Sequence, residues 1–230
     1  MSTRANKWEY LQLGVIAAMF VWAAVKWPSL PDRIPVHWNA AGVVDGYAGK
    51  FVGLLLPPVV TFAVYLMLRY IPRIDPARAN YPTFAGTYLL VRTALVVSMA
   101  FSYVVAILAI GNQGVVPKDR LEIGAVAVLF VILGGTMGKF RPNWFVGIRT
   151  PWTLSSKVSW VKTHRAGGRV FTGIGLATLI VVLISGKAAF YVLVALTIAG
   201  IVYVVVYSYL VWRGDPEKVP AQETRPTDDS

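Results

Sequence analysis

Two stretches of this chain gather polar and aromatic side chains in defined patterns. One reads Leu30-Pro31-Asp32-Arg33-Ile34-Pro35-Val36-His37-Trp38-Asn39, followed by Gly42, Asp45-Gly46-Tyr47 and Lys50. His37, Asn39 and Asp45 supply polar groups there, and Trp38 and Tyr47 supply flat contact area, the mixture that binding surfaces favour. The other reads Asn143-Trp144-Phe145-Val146-Gly147-Ile148-Arg149-Thr150-Pro151-Trp152-Thr153-Leu154-Ser155-Ser156, then Trp160, Thr163-His164-Arg165 and Gly167-Gly168. Its candidate functional residues are Asn143, Arg149, Thr150, Trp152, Trp160, His164 and Arg165. The planar fork of Arg149 suits a fixed set of carbonyl or carboxylate partners that hold the Thr150-Pro151-Trp152 turn.

Each set has a plainer reading beside the functional one. Trp38, Tyr47, Trp152 and Trp160 serve equally as anchors at a membrane interface, and loop polar groups satisfy loop backbone. His164 also reads as a hydrogen-bonded structural histidine. Bond-making chemistry has little to work with. One His and one Asp do not define a metal site. No Ser-His-Asp set or carboxylate pair is visible, and the absence of cysteine removes disulfides, thiolates and Cys-based metal sites. We expect no enzyme, no cofactor and no metal.

Both stretches are carried by membrane spans. The 230 residues are 56% apolar and 14% charged, against roughly a quarter charged in soluble domains. The apolar residues fall in runs of about 20, the length that crosses a bilayer core as a helix. Six spans are predicted, near 8–25, 51–71, 88–110, 121–137, 170–185 and 188–212, with Pro57-Pro58 kinking the second. Backbone groups in hydrocarbon must be satisfied internally, so the fold class is an all-α polytopic bundle of six transmembrane helices. Fifteen Lys and Arg fall on the side of the termini and six on the other, which places both termini and loop 138–169 in the cytoplasm and loop 26–50 outside. The two histidines then lie on opposite sides. The net charge of +11 follows from this bias and needs no direct nucleic-acid partner.

Within the outer loop, Pro31 and Pro35 impose extended backbone, and Val36 and Trp38 alternate with His37 and Asn39 as on a short strand. Asp45-Gly46 is a turn signal. Within the inner loop, Ser155 or Thr153 is predicted to cap a short interfacial helix over 156–166 that Gly167 ends. No Glu or Gln follows three residues after either cap, so no capping box is expected. Lys157, Trp160, Val161 and His164 share one face of that helix, with Trp160 buried in lipid. Arg92 sits near the inner end of the third span and is expected to snorkel to the interface, with Glu9 as a possible ion-pair partner. The division read from the chain is an N-terminal membrane domain 1–110, a second membrane domain 111–213, and a disordered cytoplasmic tail 214–230.

The segment from Asn143 to Ser156, with Trp160 and Thr163 to Gly168, resembles the signature of the SdpI family of bacterial integral membrane proteins. The outer motif from Leu30 to Lys50 resembles an uncharacterised N-terminal domain often fused to it. The resemblance implies a multi-pass protein of the bacterial cell membrane, surrounded by lipid, that confers immunity against a secreted antimicrobial peptide toxin met at the outer face. It also implies a cytoplasmic regulatory partner. Lys157 and Val158 stand where family members commonly carry acidic residues. A second reading is a transporter that exports a peptide or small amphiphile, although no chain of carboxylates crosses the bilayer. A membrane enzyme is a third.

Overall fold

The computed structural model describes residues 3–40, 42–111 and 117–218. Six helices are long and apolar enough to cross a membrane. Helix α1 (Thr3–Lys26) leads into a hairpin of strands β1 (Arg33–Trp38) and β2 (Val44–Gly49). Helix α2 (Leu56–Ile74) follows a π-turn over Phe51–Leu55, and α3 (Ala85–Gly111) continues a 3₁₀ segment over Arg78–Phe84. Then come α4 (Lys118–Met137), a one-turn helix α5 (Pro151–Leu154), α6 (Lys157–Val182) and α7 (Gly186–Arg213). All six predicted spans are present. We call the two ends of the bundle the hairpin side and the loop side.

The prolines of α2 shape its contacts. Pro58 has no N–H for the carbonyl of Leu54, and Pro72 has none for that of Leu68. Each freed carbonyl is taken by a tyrosine of α3. Tyr103 Oη donates to Leu54 O at 3.0 Å, and Tyr88 Oη donates to Leu68 O at 2.5 Å. The expected kink at Pro57-Pro58 takes the form of the π-turn, closed by Leu56 N–H on Phe51 O.

The hairpin is an addition to the all-α expectation. Ile34 pairs with Ala48 and Pro35 with Tyr47. The register then shifts, so that His37 faces Gly46 and Trp38 faces Val44. Asp45-Gly46 therefore lies in a strand. The reversal falls earlier, where Asn39 N–H donates to Val43 O and Gly42 N–H to Asn39 O, both at 2.9 Å. Gly42 supplies the positive φ of 75° that this reversal needs. Ile34, fully buried, pins the hairpin to the bundle among Met19, Leu54 and Tyr103.

Gly167 does not end a helix, and no separate interfacial helix forms over 156–166. Helix α6 runs unbroken from Lys157 to Val182. The glycines there make room. A Cβ on Gly168 would stand 2.7 Å from Gly134 O, and one on Gly175 would stand 2.6 Å from Ala127 O. Small residues let α4 and α6 approach backbone to backbone, as at membrane helix contacts generally. The non-helical part of loop 138–169 is thus 138–150 and 155–156, around α5.

Arg92 does not snorkel. It is buried, its Nη2 stands 3.6 Å from Glu9 Oε1, and Glu9 also pairs with Arg69 and accepts from Tyr65 Oη at 2.9 Å. Beside them Gln12 Nε2 donates to Thr93 Oγ1 at 2.6 Å. The pairing of Glu9 with Arg92 is as read from the sequence. The exposure of Arg92 is not, because the third helical segment begins at Arg78 and carries Arg92 well inside the bundle.

Candidate functional site

On the hairpin side, the shift in register brings two side chains together. His37 faces Gly46, whose Cβ position lies 2.8 Å from His37 Cβ, so only glycine fits. The imidazole turns aside and its Nδ1 meets Asp45 Oδ1 at 2.5 Å, with both residues open to solvent. Next to it, Lys118 Nζ lies over the Trp38 ring at 4.0 Å from the centroid, a geometry in which the ring face attracts the ammonium. Lys118 also reaches Glu122 Oε1 at 3.4 Å, and Glu122 Oε2 accepts from Ser102 Oγ at 2.6 Å. A polar chain Trp38–Lys118–Glu122–Ser102 thus ties the hairpin to α4 and α3.

This chain separates two cavities. A cavity of about 730 Å³ opens between the hairpin and α2 and α3, with apolar walls from Val36, Val52, Leu56 and Val60. A second, of about 380 Å³, opens toward α4 and α7. His37, Trp38, Lys118 and Glu122 line both. Asn39 lines the smaller one, and its Oδ1 accepts Val43 N–H at 3.1 Å. Asp45 joins only through His37. Tyr47 is exposed on the strand opposite Pro35 and lines neither cavity. Lys118, Glu122 and Ser102 were not in the sequence-derived set. Among the described residues no group of three His, Cys, Asp or Glu could hold a metal ion.

On the loop side Asn143, Thr150, Trp160 and His164 fold into one hydrogen-bonded body, and Arg149 and Arg165 stay outside it. Asn143, buried, accepts Phe145 N–H at 3.0 Å and Val146 N–H at 2.6 Å on Oδ1 and donates through Nδ2 to Arg141 O and Val146 O. Gly147 adopts φ 110°, and a Cβ there would collide with His164 Nε2. That nitrogen accepts Ile148 N–H at 3.0 Å, while Nδ1 meets Trp160 O at 2.8 Å. These partners fit a neutral imidazole with its proton on Nδ1. The ring stacks on Trp160 at 4.1 Å. Trp160 is not a lipid anchor. It is fully buried and donates through Nε1 to Phe140 O at 3.0 Å.

The turn is not held by Arg149, which is exposed with its guanidinium 6.0 Å from the Phe145 centroid. Hydroxyls hold it. Thr150 caps α5 by accepting Thr153 N–H at 3.1 Å, and Thr153 Oγ1 accepts Thr150 N–H at 2.9 Å. This is a capping box built with threonine where glutamate is usual. Thr150 also meets Ser208 of α7 at 3.0 Å, and Trp152 packs edge-on against Tyr209. Ser156, not Ser155 or Thr153, caps α6 by accepting Ser159 N–H. Arg165 is exposed.

Two acids missed in the sequence complete this body. Asp75, buried at 1% exposure, accepts Ala77 N–H at 2.7 Å, Tyr81 Oη at 2.8 Å and Trp144 N–H at 3.0 Å. Asp215, just beyond α7, accepts Ser156 Oγ at 2.5 Å. That bond, with Glu217 N–H and the charges of Lys218 and Lys162, holds its carboxyl below the usual carboxylate range. Residues 219–230 of the tail lie outside the described residues.

Six apolar helices, an ordered hairpin at one end and a hydrogen-bonded loop at the other make this a multi-pass membrane protein. Residues 139–208 match the SdpI/YfhL protein family, and residues 14–62 match a domain of unknown function, DUF1648. The chain is 23% identical over 207 residues to "Immunity protein SdpI" of Bacillus subtilis (strain 168), covering 88% of this chain and 95% of the relative. The resemblance to the SdpI family read from the two motifs is borne out. No solved structure matches.

Proposed function

We propose that this protein is a membrane immunity-type protein of the bacterial plasma membrane that protects its cell against a secreted antimicrobial peptide met at the hairpin face. The observation that carries the reading is the similarity to an immunity protein along 88% of the chain, which takes in the hairpin as well as the loop. The 15 to 6 division of Lys and Arg supports an outward hairpin and cytoplasmic termini. The larger hairpin-side cavity suits an amphiphile, with apolar walls below and the His37–Asp45 and Lys118–Glu122 pairs above. Its role is binding, without bond chemistry. A cytoplasmic regulatory partner would meet the loop at Trp144 and Phe145, which are exposed.

The test is survival of a sensitive bacterium expressing the protein and challenged with peptide toxins. Trp38→Ala should abolish protection at unchanged abundance, since an aromatic at the centre of a binding surface contributes about 2 kcal/mol or more. Full protection with both His37 and Trp38 replaced would refute the hairpin face as the site. In the same cells an impermeant thiol reagent should label Val43→Cys and spare Arg141→Cys, and the reverse pattern would invert the orientation.

A further inference from the structure

At the opposite end of the bundle a cavity of about 410 Å³ opens between α1, α2 and the 3₁₀ start of the third segment, lined by Arg69, Arg73, Arg78, Arg92 and Glu9. Four arginines and a single carboxylate line it, with the Arg73 guanidinium 5.0 Å from the Tyr70 ring centroid. Glu9 is engaged by Arg69 and lies near Arg92, and Asp75 is turned away, occupied by Tyr81, Ala77 and Trp144. The cavity is therefore left strongly positive. Its base holds an unsatisfied donor. Arg92 is 92% buried, and its Nε has no hydrogen-bond partner among the described residues. A buried guanidinium donor without an acceptor costs stability unless something fills the place. The Tyr81 and Tyr88 hydroxyls on the cavity wall donate to Asp75 and Leu68 and make no hydrogen bond to this nitrogen. An anionic acceptor in the cavity would complement its excess of positive charge.

We propose that this cavity binds a phosphate group, with Arg92 and Arg69 at its base and Arg73 and Arg78 at its rim. Arginine forks match phosphate oxygens two at a time. The source is the headgroup of an anionic phospholipid. The cavity sits at the end of three apolar spans, where lipid phosphates lie, and its wall includes Pro82 and Leu89, which suit the apolar part of a lipid and offer nothing to a free ion. Basic pockets between spans are suited to such headgroups. The assignment is independent of the immunity reading, which concerns the other face.

The experiment is native mass spectrometry of the full-length purified protein titrated with dioleoylphosphatidylglycerol, with dioleoylphosphatidylcholine as the net-neutral, zwitterionic comparison and inorganic phosphate as competitor. Arg73→Gln/Arg78→Gln changes two exposed rim residues and leaves the buried network intact. It should weaken phosphatidylglycerol retention by about thirtyfold, as loss of two cationic contacts near a bilayer surface implies. Arg92→Lys, which keeps the charge but loses the fork, should weaken it too. Lys139→Gln/Arg141→Gln removes the same charge from the same side outside the cavity and should leave retention unchanged. Equal loss in the two double variants, or no preference for phosphatidylglycerol, would overturn the site. Displacement of the lipid by micromolar inorganic phosphate would overturn the lipid as its source.

Discussion

Tyr88 Oη donates to the carbonyl of Leu68, the carbonyl that Pro72 leaves without an N–H. The tyrosine is thus the complement of a proline on a neighbouring helix. Tyr88→Phe should destabilise the protein by about 1–2 kcal/mol, because it leaves a buried acceptor unpaired. Pro72→Ala restores a helical N–H for the same carbonyl, so in that background Tyr88→Phe should cost less than half as much. Thermal unfolding in detergent of the two single variants and the double variant checks this. Simple additivity would mean the hydroxyl and the ring act separately.

Gly147 and His164 form a second dependent pair. Gly147→Ala places a methyl group against Nε2 at a φ that side chains rarely adopt, and His164→Ala leaves Ile148 N–H orphaned beside Trp160. Each should cost about 2–4 kcal/mol. Removing the ring also removes the clash, so the double variant should be more stable than the sum of the two losses predicts, by about 1 kcal/mol or more. The measurement is a double-mutant cycle on unfolding in detergent.

Asp215 makes the loop body sensitive to strong acid. Its folded pKa is depressed, chiefly by the Ser156 hydroxyl, so its contribution is fully present above its unfolded value near pH 4 and is lost as pH falls through the folded value. Asp215→Asn should lower the melting temperature by a constant amount between pH 8 and pH 5. Below about pH 4 the difference from the parent should shrink. A difference that changes between pH 8 and pH 5 would assign the titration to another group.

The bundle was legible because twenty-residue apolar runs leave the backbone no alternative in hydrocarbon, and the two ordered loops were legible as polar, aromatic stretches with fixed glycines and prolines. What was not legible depends on partners far away in the chain. Trp160 reads as an anchor from its own neighbours and becomes core only because Phe140 and His164 surround it. Arg149 looked suited to holding the turn, yet the groups in need were backbone N–H and C=O that Thr150 and Thr153 reach from three residues away. Gly167-Gly168 carries the same letters whether it stops a helix or lets another helix approach. Asp75 carried no local signal, because one of its partners is the backbone N–H of Trp144, 69 residues further along the chain.

The close contact of α4 with α6 has a mechanical consequence. Where Gly134, Gly168 and Gly175 bring carbonyls and α-carbons of two helices together, there are no long side chains between them to act as bearings. Sliding one helix along the other would drive Val131 or Met137 against Gly175 or Gly168, and Ser159 Oγ donates to Ser208 O to strap α7 to α6. The seam with the first three helices is closed at one end by the Asp75 clasp on Trp144 and at the other by the Lys118 stack on Trp38.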